Sequence, residues 1–86
     1  MPILARFYGI IIRMYFRQSE HNPPHIHVIY QDITFSITIK DMKIIDGDMN
    51  PPSRALSMVK EWIELHQTEL LNMWETQDIH QLEPLK

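Results

Sequence analysis

The stretch His25-Ile26-His27-Val28-Ile29-Tyr30-Gln31-Asp32-Ile33-Thr34-Phe35-Ser36-Ile37-Thr38-Ile39 decides the fold. Side chains on a strand alternate between two faces, so Ile26, Val28 and Tyr30 share one side while His25 and His27 share the other. Ile33, Phe35, Ile37 and Ile39 repeat that alternation after the short Gln31-Asp32 connection, which predicts an antiparallel hairpin of His25–Tyr30 with Ile33–Ile39.

Working back toward the start, Ile3/Ala5/Phe7 and Ile10/Ile12/Met14/Phe16 also alternate, with Gly9 between them. Glycine tolerates a positive φ, so Gly9 either turns the chain between two strands or kinks a single long one. The run from Gln18 to Pro24 is polar and ends in two prolines, which remove ladder donors and mark a loop. Working forward, Asp41–Asn50 is rich in turn formers, with room for a short Met42–Ile45 edge strand. The period then changes. Leu56, Val59, Ile63, His66, Leu70 and Met73 recur at steps of three and four, widened by Ala55, Trp62 and Trp74, so one helix of about 25 residues is expected. Asn50 is its candidate cap ahead of Pro51 and Pro52, Glu61, Gln67 and Thr68 mark its solvent side, and Ile79–Lys86 is expected to be a loose tail. The prediction is an α+β domain over residues 1–78, a meander of about four antiparallel strands with one long C-terminal helix across one face, followed by the tail 79–86.

Size and composition narrow the chemistry. Eighty-six residues, 44% hydrophobic and 22% charged, fit one small domain. Such a chain buries about 60–68% of its unfolded surface, too little for an enclosed large-cofactor cleft. There is no cysteine, so thiolate zinc sites and thiol nucleophiles are excluded. The apolar opening is interrupted by Pro2, Arg6, Gly9 and Arg13, so neither a signal peptide nor a membrane span is expected. The formal charge of -3 is unevenly spread. Residues 1–40 hold four cationic against two anionic side chains, and residues 41–86 hold four against nine. A basic front and an acidic back are implied.

Strand parity then locates the candidate chemistry. If the apolar sides pack under the helix, His25 and His27 share the opposite face with Thr34, Ser36 and Thr38. Arg13, Tyr15 and Arg17 point the same way from the preceding strand, with His21, Asn22 and Arg6 at the rim. Guanidinium forks match phosphate oxygens, and imidazole exchanges protons near neutrality, so the patch suits RNA cleavage without a metal or other cofactor. His25, His27, Arg13 and Tyr15 are the candidate catalytic residues, and Arg17, Arg6, His21 and Asn22 the candidate substrate-binding ones. The blander reading makes them solvated residues on a free sheet face. A second alternative has the His-x-His pair hold a metal ion with His21, Glu20 or an aspartate as a third ligand, although neighbouring arginines disfavour a cation. A third is a non-catalytic module that docks a partner protein through the loop or a sheet edge. Within the helix, His66, Trp62 and Trp74 read as core, and the methionines as gap filling.

Asn22-Pro23-Pro24-His25-Ile26-His27-Val28, together with Phe7-Tyr8-Gly9-Ile10, Arg13-Met14-Tyr15, Glu61-Trp62 and Asn72-Met73-Trp74, resembles a short bacterial family catalogued as domain of unknown function 4160. The resemblance covers nearly the whole chain, and Asn-Pro-Pro-His-x-His is its specific part. It implies a cytoplasmic protein encoded beside a second small protein, an arrangement like that of a toxin and its antitoxin, with no established reaction. The resemblance implies a cognate antitoxin as partner, the polar patch makes RNA a possible one, a second copy of the chain is a further candidate, and no membrane is expected. Glu20 stands where aspartate is more usual and Asn50-Pro51 where leucine-proline is, which puts a role for a loop carboxylate in doubt.

Overall fold

The computed structural model describes residues 3–15 and 23–86. Five strands and one helix follow in order: β1 Ile3–Phe7, β2 Ile10–Arg13, β3 His25–Tyr30, β4 Ile33–Thr38, β5 Ile44–Gly47 and α1 Ser53–Thr76. The strands form one antiparallel sheet in the order β1-β2-β3-β4-β5, so each pairs with its neighbour in sequence. This is the expected α+β meander with one strand more. β5 is the short edge strand for which Met42–Ile45 left room, displaced by two residues to Ile44–Gly47. It has only four residues, and a register shift opposite Ser36 and Ile37 breaks its alternation.

Tyr8 and Gly9 form the β1–β2 turn, both at positive φ (49° and 81°), which settles Gly9 as a hairpin turn. β2 ends at Arg13, short of the expected Phe16, which lies outside the described residues. Ile10, Ile12, Met14, Ile26, Val28, Phe35, Ile37 and Ile39 are buried, and α1 covers them with Ala55, Val59, Trp62, Ile63, Leu70, Met73 and Trp74. Phe7 stacks on Trp62 with ring centres 6.1 Å apart.

Three expectations are corrected. Pro52, not Asn50, is the cap residue: its carbonyl accepts from the Leu56 amide, while the Asn50 amide bonds the Asp48 carboxylate. Gln67 is not a solvent residue; its side-chain amide donates to the Ile39 carbonyl at 2.9 Å, tying the helix to the end of β4. The segment Ile79–Lys86 is not loose. The Leu82 amide donates to the Leu4 carbonyl on the outer edge of β1, Trp62 Nε1 and His66 Nε2 both donate to the Glu83 carbonyl, and Leu85 is buried. His66 leaves helical geometry (φ −119°, ψ 17°) where it makes that bond.

Candidate functional site

Cross-strand register aligns one polar row on the face opposite the core. Arg13 of β2 pairs with His27 of β3, His27 with Ser36 of β4, and Ser36 with Asp46 of β5. Directly opposed residues on a sheet interact across about 5 Å, so the row runs from a fixed cation to a fixed anion with an imidazole and a hydroxyl between them. The row exists because the apolar alternation fixes which side chains face the helix; a slip by one residue would bury all four.

A second axis runs through the rings. Tyr15 stacks on His27 with centroids 4.1 Å apart and planes 14° from parallel. His25 meets His27 edge-on at 5.1 Å. The Trp74 ring from α1 lies 5.1 Å from the His25 ring, tilted by 53°. His25 opens β3, which is why its ring reaches both the polar face and the helix.

Hydrogen bonds fix both imidazoles through the same atom. His25 Nδ1 is 2.8 Å from the Pro23 carbonyl oxygen, and His27 Nδ1 is 3.2 Å from Ser36 Oγ. Among the described residues, Nε2 of each ring has no hydrogen-bond partner. Burial pushes the His27 imidazole below its ordinary value of 6.5, neighbouring His25 adds to that, and Asp46 pulls the other way. Among the described residues, Arg13 Nε is buried with no hydrogen-bond partner.

Of the candidate residues, the structure brings Arg13, Tyr15, His25 and His27 together. Arg6 shares the face but stands in the row of Ile11, Ile29 and Thr34, away from the imidazoles. Arg17, His21 and Asn22 lie outside the described residues, as does Glu20. The expectation of open space beside small hydroxyls holds at exposed Thr34 but not at Ser36 and Thr38, which are 5% and 6% exposed. Their hydroxyls are engaged, Ser36 by His27 and Thr38 by the Lys43 amide. Among the described residues no group of three or more histidines and carboxylates is placed to hold a metal ion. Trp74 is the site residue that sequence reasoning reads as core, and Ser36 is expected on the face only as a small hydroxyl beside open space. Parity put Ser36 on the face, but Trp74 looks like any other residue of the helical stripe.

The profile of a family described as Domain of unknown function (DUF4160) matches residues 9–75. The chain belongs to this family. The DUF4160 match spans β2 to β5 and all but the last residue of α1, and it contains Arg13, Tyr15, His25, His27, Ser36, Asp46 and Trp74. β1 and the docked tail flank it. No curated protein and no solved structure matches the chain.

Proposed function

We propose that this DUF4160 domain is the toxin of a bacterial toxin-antitoxin pair, acting in the cytoplasm on RNA as a metal-independent ribonuclease. The observation that carries the reading is the convergence of Arg13, Tyr15, His25 and His27, with Tyr15 stacked on His27 at 4.1 Å and Arg13 directly opposite it in register. Strand cleavage by a neighbouring 2′-hydroxyl needs a base for that hydroxyl and cations for the crowded phosphate. Burial holds the His27 imidazole below its ordinary value of 6.5, which favours its neutral form, and His25 is the second imidazole of the patch. Arg13 supplies the fixed positive charge. The neutralising partner is a small cognate antitoxin.

Expression of the wild-type chain should arrest growth and yield new RNA ends by sequencing. The His25→Ala/His27→Ala double variant and Arg13→Ala should do neither while keeping the wild-type circular dichroism spectrum. Arrest by the double variant without cleavage would replace this reading with a binding one. One observation favours that second reading: β5 is an edge strand that carries exposed Ile45 and is followed by exposed Met49, whereas the Leu82 amide already occupies part of the β1 edge. A partner adding a strand would do so at β5.

A further inference from the structure

We infer that the hydrogen-bond partners of the two imidazoles assign them opposite roles. His25 takes the 2′-hydroxyl proton at Nε2, His27 donates Nε2–H to a non-bridging phosphate oxygen, and Ser36 is the positioning residue that holds His27 in its role. The inference rests on the ribonuclease reading and deepens it.

A carbonyl oxygen only accepts. The 2.8 Å contact between His25 Nδ1 and the Pro23 carbonyl therefore places a proton on Nδ1. A neutral imidazole carries one N–H, so His25 Nε2 has a free lone pair and is a base. His27 faces a hydroxyl, which can give or take. Ser36 is 5% exposed, and among the described residues His27 Nδ1 is the hydrogen-bond partner of its Oγ, at 3.2 Å. Leaving the Ser36 proton buried without an acceptor would cost its whole desolvation penalty. Oγ–H accordingly donates to Nδ1, and the His27 proton sits on Nε2. Among the described residues, the charged and titratable neighbours of His27 are Arg13, Tyr15, His25 and Asp46. Burial is the largest influence on His27 and, against the pull of Asp46, holds its imidazole below the ordinary value of 6.5, favouring the neutral ring.

A neutral imidazole N–H is a good hydrogen-bond donor and a very weak acid. His27 therefore stabilises charge beside Arg13 and does not protonate a leaving group. In the balanced step, the 2′-hydroxyl proton moves to His25 Nε2, the O2′–P bond forms and the P–O5′ bond breaks. The departing 5′ oxygen takes a proton from water, and the His25 imidazolium returns its proton to solvent. The products are a 2′,3′-cyclic phosphate and a 5′-hydroxyl. Trp74, 5.1 Å from His25, holds the base from the helix side.

Long-range proton–nitrogen correlation spectra of the full chain at about pH 8, above the range in which histidine titrates, read the tautomers directly. The expected result is a proton on Nδ1 of His25 and on Nε2 of His27. Ser36→Ala should convert His27 to a tautomer mixture without altering His25, and Ser36→Thr, which keeps the hydroxyl, should restore it. In RNA cleavage, His27→Gln retains an N–H donor and should exceed His27→Ala by about tenfold or more. His25→Gln should be as inactive as His25→Ala. RNA cleavage by a chain with either tautomer reversed, or a His27 tautomer unmoved by Ser36→Ala, would overturn the division of roles and leave the ribonuclease reading standing. Expected tautomers in a wild-type chain that cleaves no RNA would overturn the ribonuclease reading and both catalytic roles with it.

Discussion

His27 makes the stability of the domain itself depend on pH. Its folded-state value lies below 6.5, so between that lowered value and 6.5 the unfolded chain binds more protons than the folded one. Stability then rises with pH through this window, and what the neutral ring contributes is lost as pH falls through the folded value. Melting temperatures taken from about pH 7 down to about pH 5 should fall more steeply for wild type than for His27→Gln, whose amide cannot titrate. Parallel curves would remove the burial argument for His27. Gly47 is a second single-residue constraint. It sits at φ +84°, and a Cβ there would press on the Thr34 carbonyl and lie 2.7 Å from Phe35 Cα. That carbonyl already accepts the Asp48 amide at 2.9 Å, so it is not free to move aside. Gly47→Ala should destabilise by about 2 kcal/mol or more in urea unfolding, from left-handed strain and overpacking together. A loss within the range of ordinary surface substitutions would mean that β5 shifts to accommodate the methyl.

At the level of elements, the C-terminal segment works as a strap between the helix and the first strand. Three hydrogen bonds tie it down: Trp62 Nε1 and His66 Nε2 to the Glu83 carbonyl at 2.8 and 2.9 Å, and the Leu82 amide to the Leu4 carbonyl at 2.8 Å. At about 1 kcal/mol net for each, removing Ile79–Lys86 should cost about 3 kcal/mol, more if the buried Trp62 indole is left without an acceptor. A truncated chain that unfolds within about 1 kcal/mol of wild type would show that the strap contributes little. Its docking was not legible in the sequence because the acceptors are backbone carbonyls, which any residue supplies. The strands of the central hairpin were legible because Ile26/Val28 and Phe35/Ile37/Ile39 alternate cleanly, and the long helix because its stripe has no competing period. β5 was obscured for the opposite reason: Asp46, Gly47 and Asp48 carry turn chemistry, and its register shift removes the period of two. The same parity that gave the hairpin placed Arg13, Tyr15, His25 and His27 on one face. It could not show that Trp74 reaches His25, since helical spacing fixes the buried side of α1 but not which end of the sheet each residue meets.

For the whole molecule, the charge division of the sequence becomes a division between layers. Arg6 and Arg13 stand on the sheet, whereas Glu61, Glu64, Glu69 and Glu75 lie exposed on the helix. A polyanion therefore meets repulsion from the helix glutamates, and on the sheet it meets Arg6 and Arg13 with Asp46 at the far end of the Arg13 row. With few fixed cations in the candidate site, binding of single-stranded RNA should depend weakly on salt, since each neutralised phosphate adds only about 0.7 to the slope of log K against log salt concentration. Arg13→Ala should lower that slope by about 0.7 and weaken binding at every salt concentration. Arg54→Ala, at the exposed start of α1, should leave both unchanged. Fluorescence anisotropy with a short oligonucleotide carrying 2′-deoxy sugars separates this binding term from cleavage, because the attacking hydroxyl is missing. A slope that responds to Arg54 but not to Arg13 would put the nucleic acid on the helix, and the row formed by Arg13, His27, Ser36 and Asp46 would then need another ligand.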